Sequence, residues 1–290
     1  MLLSSLFITF LLEYFLTPAE DSFDKYLSLV INWVRTKLDI DDKKIALVSW
    51  LVLVLGSSLA LWALWELILV IHPILAFVFL VVFLYLNLGF KRFINVFLKI
   101  HSHLKNEEIE QARLEINGWS STVKSNQVVI ESIKNGDPRQ IAREATKLLV
   151  LSMHRNLFAP IFWLVVLPGP VGILLYKASL FVHREWNQIR ESVDNSDFKD
   201  DTVQISMGNE DKYTEEKIES RKIEQFDTYA EIASRGFFWF DWLPARFTAL
   251  VFAIVGNFED AFAQGRKQAT EITYKSASDS DQLILAVGEG

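Results

Sequence analysis

The sequence predicts an all-α, polytopic integral membrane protein with about four membrane segments and a cytoplasmic helical loop domain. Hydrophobic residues make up 51% of the 290 residues, with 22 Phe and 9 Trp among them. Long apolar runs occupy residues 45–71 and 74–90, and lysines or arginines stand at their outer ends. This hydrophobic fraction is high for a soluble protein of this length, and runs of that size are long enough to cross a bilayer.

Several classes of site are excluded or disfavoured by composition. The chain has no cysteine, which excludes disulfides, thiolate catalysis and cysteine-based metal sites. Its net charge is −7 and its acids concentrate in residues 183–236, which argues against nucleic-acid binding. Neither a G-x-x-x-x-G-K-[ST] nor a G-x-G-x-x-G phosphate loop occurs, and His101 and His103 are too sparse for a metal site. We expect no metal and no cofactor. The expected partners are the lipid bilayer and a small-molecule ligand or membrane partner protein.

The first sixteen residues, MLLSSLFITFLLEYFL, resemble the core of a signal peptide. They lack a basic leading region and a small-residue cleavage site, and they are short for a membrane span. The sequence therefore predicts a retained, partly embedded first helix, followed by a linker up to residue 44.

Residues 45–90 predict a transmembrane hairpin. His72-Pro73 separates the two apolar runs, and so short a connection makes them antiparallel. Basic residues flank the hairpin on both sides, at Lys43 and Lys44 before it and at Lys91 and Arg92 after it. By the positive-inside rule both ends are cytoplasmic, and His72 lies on the far side.

Residues 91–156 predict a cytoplasmic helical domain. Asn106 is a candidate cap for a helix that ends at Gly118. Asp137-Pro138 predicts the start of a second helix, because Asp is a preferred N-cap and Pro suits the first helical position.

The segment 157–182 is apolar but contains Pro168-Gly169-Pro170. A straight helix does not survive two prolines around a glycine, so the pattern predicts two half-helices or a re-entrant hairpin. Such a break either contributes to a binding site, as in transporters, or is a plain kink or interfacial turn.

An acidic stretch at 183–236 reads as a flexible loop, and a membrane helix follows at 237–258. Within "DWLPARF" we expect Asp241 to cap that helix, with Pro244 in its first turn. Arg246 then either extends to the lipid headgroups or binds an anion. We expect residues 259–290, which end in "LILAVGEG", to form a C-terminal tail.

Four strings, taken in order, resemble the CobD/CbiB family of cobalamin-biosynthesis membrane proteins. They are "IHP" at 71–73, "LKNEEIEQARLEINGW" at 104–119, "APIFWLVVLPGPVGILLYKA" at 159–178 and "LPAR" at 243–246. The strings "FDWLPARFTALVFAIVGNFEDA" and "LFAPIFWLVV" resemble the AmpE branch more closely, which is associated with control of β-lactamase induction. The resemblance implies a bacterial inner-membrane location. It also implies adenosylcobinamide-phosphate synthesis, an ATP-dependent amide formation between cobyric acid and aminopropanol or its phosphate.

The chain departs from the synthases at three acidic motifs. It has Leu16-Thr17-Pro18 in place of Gly-Asp-Pro, and residues 151–156 read LSMHRN where the synthases have Glu-Asn-Thr-Val-Asp-Gly. Phe237 and Phe238 stand in place of a pair of aspartates. We therefore expect a non-catalytic paralogue with a regulatory or ligand-sensing role. A synthase with relocated acids is the alternative, and the broken helix alone favours a transporter-like or scaffold protein.

The candidate ligand-binding residues are Arg246, Asp241, Glu66 and Lys177, and no catalytic residue is assigned. Glu66 is the one acid within the first span. It either pairs with Arg246 inside the membrane or extends its side chain to the interface. Lys177, close to the proline break, either meets an anion or is an ordinary interfacial lysine. His154 and Arg155 are interpreted as marking the cytoplasmic edge of a span.

Overall fold

A computed structural model describes residues 2–16, 43–123, 137–200, 209–255 and 277–288. Within these ranges the secondary structure is helical and contains no strand, which confirms the all-α prediction. Four helical stretches are long and apolar enough to cross a membrane: Lys44–Ile71, Pro73–Lys105, Pro138–Val166 and Asp227–Val255. Their number agrees with a polytopic membrane protein of about four segments, although the last two begin earlier in the chain than predicted.

The N-terminal helix α1 (Leu2–Phe15) packs beside the second arm of the hairpin. Its Thr9 hydroxyl donates to the carbonyl of Val81 at 3.4 Å. Near its end, Glu13 accepts a hydrogen bond from the backbone N–H of Lys91 at 2.8 Å. That N–H belongs to the first turn of the helix that follows the hairpin, where helical N–H groups lack partners within the helix. Glu13 therefore joins α1 to that helix.

The hairpin consists of α2 (Lys43–Leu51), a π-helical turn (Val52–Gly56), α3 (Ser57–Ile71) and α4 (Pro73–Leu88). His72 between the arms has an extended backbone, and its Nδ1 accepts from the N–H of Ile74 at 3.2 Å. Pro73 then occupies the first turn of α4, where its missing N–H costs nothing. The short antiparallel connection predicted from His72-Pro73 is confirmed.

Gly89, in the left-handed conformation with φ 53°, separates α4 from α5 (Phe90–Lys105). Helices α6 (Ile109–Val123) and α7 (Pro138–Met153) pack with α5 around a compact apolar cluster. The predicted start of α7 at Pro138 is confirmed, although the Asp137 side chain makes no capping bond. Gly118 does not end α6, because Trp119 and Ser120 beyond it are buried and packing favours continuing the helix.

The broken segment is confirmed as two helices. After the π-helical turn His154–Phe158, α8 (Ala159–Val166) ends before the prolines and α9 (Val171–Asp200) begins after them. Gly169 at the break has φ 65°, a conformation that glycine adopts without strain. The two helices pack against each other, so the break reverses the chain rather than bending it.

The expectation of an acidic flexible loop at 183–236 is wrong for the described part. Residues 183–200 continue α9, and α10 (Asn209–Val255) runs without interruption into the last candidate span. Val182, Trp186 and Ala233 are buried in a cluster with α2. An acidic composition is shared by loops and by the outer faces of helices, so it did not distinguish the two here.

Asp241 is consequently not an N-cap, since α10 starts about thirty residues before it, and Pro244 lies inside the helix. A proline within a helix leaves the carbonyl four residues earlier without its helical partner. Here that carbonyl belongs to Phe240, and it accepts a hydrogen bond of 3.0 Å from the indole N–H of Trp163 in α8. The proline is thus accommodated by a donor from a neighbouring helix. The chain's last described helix, α11 (Ala277–Gly288), packs on α10 and α7.

Candidate functional site

A cluster of polar side chains lies buried where α7, α9, α10 and α11 meet. It contains His154, Arg155, Tyr176, Asp241, Thr248 and Asp281. His154 is 0% exposed, Asp241 1% and Arg155 8%. Burying ionisable groups among apolar helices costs free energy unless they are paired, so such clusters in membrane proteins point to function.

The turn that carries His154 and Arg155 is π-helical, and it joins α7 to α8. Single π turns inside helices are found frequently at functional sites. Because the two residues are adjacent, they leave the helix in different directions. His154 contacts α10, and Arg155 contacts α11. Their interpretation as residues at the edge of a span is therefore wrong, since both are buried in the cluster.

Asp241 is the centre of the hydrogen bonding. Its Oδ1 accepts from the hydroxyl of Tyr176 at 2.9 Å and lies 2.9 Å from Nε2 of His154. The Nδ1 atom of His154 lies 2.8 Å from the hydroxyl of Thr248, about two helical turns beyond Asp241 on the same face of α10. An ionised Asp241 is an acceptor only, so the proton between the two side chains resides on Nε2. In the tautomer that carries its single proton on Nε2, Nδ1 accepts a hydrogen bond from the Thr248 hydroxyl.

The second carboxylate oxygen, Oδ2 of Asp241, is buried and has no hydrogen-bond partner among the described residues. Leaving a buried acceptor unsatisfied costs about 1–3 kcal/mol. Nearly all buried polar atoms in proteins have a partner, so an exception of this kind calls for an explanation. A ligand or a polar group that donates to Oδ2 would supply one.

Arg155 makes an ion pair with Asp281 and so ties α11 to the π-helical turn. Its positive charge also acts on Asp241 and Tyr176. Burial raises the pKa of the Asp281 carboxyl, while the Arg155 guanidinium opposes that rise. Beside the cluster, burial and the charges of Arg155 and Arg184 lower the pKa of His183 to about 3. The His183 imidazole is therefore neutral at neutral pH, and it stacks on Phe237 at 5.1 Å.

The sequence Thr248–His154–Asp241 has the connectivity of a hydrolytic triad, with a hydroxyl, an imidazole and a carboxylate in a row. Two features distinguish this row of residues from a hydrolytic triad. Nδ1 faces the hydroxyl and Nε2 the acid, the reverse of the serine-protease arrangement. All three side chains are also buried to within 1%. The three residues therefore share the connectivity of a hydrolytic triad but not its geometry.

The parts of the chain that the structure describes contain no candidate metal site. These residues contain no group of three or more His, Asp or Glu side chains placed to hold an ion. The carboxylates of Asp241 and Asp281 instead face His154 and Arg155, which donate hydrogen bonds to them.

Of the four candidate residues from the sequence, the structure places Asp241 in the cluster. Lys177 follows Tyr176 but donates to Oδ1 of Asn156 at 2.8 Å. Arg246 lies over the ring of Trp242, with Cζ 3.7 Å from the ring centroid, and donates to the Trp242 carbonyl at 3.2 Å. Glu66 is exposed on α3, so of its two predicted roles the buried ion pair with Arg246 is wrong.

Sequence reasoning did not assign Tyr176, Thr248 or Asp281 to the site, and it gave His154 and Arg155 a topological role. One signal was present. The string that precedes the "AP" helix differs from the synthase motif by carrying His154 and Arg155 where acids are expected. A basic pair at that place is a cue to look for acids elsewhere, and Asp241 and Asp281 are those acids.

Comparison with known proteins adds no relative. No protein-family model matches the chain, and no curated protein or solved structure matches it. The resemblance to the CobD/CbiB family and its AmpE branch therefore stays a prediction that rests on the four strings.

Proposed function

We propose that this protein is a non-catalytic membrane protein of the CobD/CbiB–AmpE type with a regulatory or ligand-sensing role, and that the Asp241 cluster is its binding site. The observation that carries the proposal is the buried Asp241 carboxylate. One of its oxygens is held by His154 and Tyr176, and the other has no partner among the described residues.

The chemistry of the cluster indicates what it would recognise. An ionised Asp241 oxygen accepts hydrogen bonds, so the matching ligand group is an amine, a hydroxyl or an amide N–H. Arg155 and Asp281 neutralise each other next to it, which leaves Asp241 as the acceptor for the ligand. A ligand that donates a hydrogen bond to Oδ2 removes the cost of leaving this buried oxygen unsatisfied, and that gain contributes to its binding free energy.

The location of the cluster suits a sensor. Its members come from the π-helical turn, α9, α10 and α11, so a ligand at Asp241 touches elements that are far apart in sequence. A ligand shifts a conformational equilibrium only through different affinities for the two states. Binding at a junction of four helices provides such a difference, because any relative movement of the helices changes the site.

The proposal that the synthase reaction is lost rests on residue chemistry. ATP-dependent amide formation needs carboxylates that hold Mg²⁺ and phosphate. At residues 151–156 this chain has His154 and Arg155 instead of the acids of the synthases, and Phe237 and Phe238 replace two further aspartates. These substitutions exchange metal-binding groups for cationic and apolar ones.

The test uses a bacterial strain from which the chromosomal copy has been deleted, with β-lactamase induction as the response. We expect the wild-type chain to restore the normal response and His154→Gln to fail while accumulating in the membrane. His101→Gln, at an exposed position, is the matched control and should restore it. A response that is unchanged by the deletion, or that His154→Gln restores fully, would refute the proposed role.

The alternative is an adenosylcobinamide-phosphate synthase with relocated acids. One observation favours it: Asp241, beside the "LPAR" string, meets the residues that precede the "AP" helix, so an acid does lie at the place where two family motifs come together. Complementation of a cobalamin auxotroph that lacks its own synthase separates the two. Growth would establish the enzyme, and absence of growth together with membrane accumulation supports the regulatory role.

A further inference from the structure

A second site is present on the opposite side of α10. A cleft of about 690 Å³ lies between α2 and the first part of the last candidate span. Its walls come from Lys44, Leu47 and Trp50 on α2 and from a stripe of α10 between residues 228 and 240. The α10 residues recur at spacings of three and four, so they form one continuous face.

The cleft is amphipathic along its length. On α10, Thr228, Glu231 and Arg235 line its first half together with Ile232, and the second half is lined by Gly236, Trp239 and Phe240. From residue 228 to residue 240 the helix rises about 18 Å, which is long enough for a lipid headgroup with the first part of an acyl chain and too long for a small polar solute. One end is thus suited to a headgroup and the other to hydrocarbon.

The polar end coincides with the start of two candidate spans. One span begins at Lys44 and the other at Asp227, which precedes Thr228 directly. Lys44 and Thr228 therefore both line the cleft where an apolar stretch of helix begins. Basic residues and tryptophans are typical of the membrane interface, where lipid headgroups lie.

The wall of the cleft carries an unsatisfied donor. Trp50 is only 6% exposed, and its indole N–H has no hydrogen-bond partner among the residues that the structure describes. Gly236 allows this ring to approach α10, because a Cβ at that position would overlap the Trp50 indole. Trp50 also stacks on Phe240 at 6.0 Å, which fixes the ring in the wall. A lipid ester carbonyl is an acceptor of the kind that this N–H lacks.

Charge selects the class of lipid. Lys44 and Arg235 contribute two positive charges to the cleft and Glu231 one negative charge, so its lining has a net positive charge. Glu231 pairs with Arg235 and orients it along α10. A zwitterionic lipid gains little from this lining, whereas each basic residue near its phosphate attracts an anionic phospholipid.

We propose that this cleft is a binding site for one anionic phospholipid of the phosphatidylglycerol type, with its phosphate at Lys44 and Arg235 and an acyl chain along Trp50, Trp239 and Phe240. The site is separate from the Asp241 cluster, and the proposal does not depend on the regulatory role. Inorganic phosphate shares the charge but cannot use the aromatic half of the cleft.

The test measures lipid binding to the full-length purified protein by native mass spectrometry, with phosphatidylglycerol, phosphatidylcholine and inorganic phosphate as probes. We expect phosphatidylglycerol to bind about tenfold more tightly than phosphatidylcholine. The double variant Lys44→Gln/Arg235→Gln should lose most of that preference. Lys99→Gln/Arg139→Gln removes two exposed basic residues elsewhere and should keep it.

A third variant tests the apolar half. Trp239 is 76% exposed, so Trp239→Ala should leave the fold intact while weakening binding of both lipids. Equal binding of the two lipids by the wild-type protein would overturn the proposal, as would an undiminished preference in the Lys44→Gln/Arg235→Gln protein. Displacement of phosphatidylglycerol by inorganic phosphate would overturn it in favour of a simple anion site.

Discussion

The Nε2 atom of His154 lies 2.9 Å from Oδ1 of Asp241, and neither side chain is more than 1% exposed. The two residues are 87 positions apart in the sequence. Their contact joins the π-helical turn before α8 to the second half of α10.

This pair should be strongly coupled. Removing one member of a buried charged or hydrogen-bonded pair leaves the other unsatisfied, at a cost of about 3 kcal/mol. We expect His154→Ala and Asp241→Ala each to lower the melting temperature of the purified protein. The double variant should be much more stable than the sum of the single losses predicts, with a coupling of about 1–3 kcal/mol. Additive losses would show that the contact contributes nothing of its own.

The hydrogen bond from Trp163 to the Phe240 carbonyl replaces the helical bond that Pro244 cannot make. A double-mutant cycle between Trp163 and Pro244 measures its contribution to stability. Trp163→Phe removes the donor and should cost about 1 kcal/mol beyond the lost ring area. In a Pro244→Ala background the helix regains the N–H that bonds the same carbonyl. The penalty of Trp163→Phe should therefore shrink in that background, as measured by thermal unfolding in detergent. An equal penalty in both backgrounds would show that the indole N–H does not replace the missing helical bond.

The Arg155–Asp281 ion pair should hold α11 against the rest of the protein. Since the natural chain has no cysteine, a single one introduced as Val287→Cys reports on this helix through maleimide labelling. Val287 is 6% exposed in a cluster with Ala249 and Ala253 of α10. We expect slow labelling in the parent and severalfold faster labelling when Asp281→Asn is added. The exposed Asp137→Asn is the matched control and should leave the rate unchanged.

Arg246 should behave as a packing residue. Because its guanidinium lies on the ring of Trp242, Arg246→Ala loses a cation–π contact of about 1 kcal/mol. Arg246→Lys keeps the charge and part of the contact, so it should retain both membrane accumulation and the induction response. Loss of the response with normal accumulation in Arg246→Lys would return this residue to the list of ligand-binding candidates, where the "LPAR" resemblance had placed it.

The hairpin, the start of α7 and the break at Pro168-Gly169-Pro170 were predictable because each depends on a local rule of length, capping or proline chemistry. The site was not predictable in the same way. Asp241 satisfies the local rule for an N-cap, and only the burial of His154 against it reveals its tertiary role. Asp281 lies in a stretch whose sequence gives no sign of its partner, Arg155. Long-range polar contacts of this kind have no periodicity for a sequence to display.

The measurement that tests the account most directly is the response of cells carrying Asp241→Asn, normalised to the amount of folded protein in the membrane. Asparagine has nearly the same shape as aspartate, but it replaces one acceptor oxygen by a donor and removes the charge. We predict normal accumulation and a lost induction response, while Asp137→Asn keeps both. A full response in Asp241→Asn would contradict the central claim, because the buried cluster would then serve stability alone.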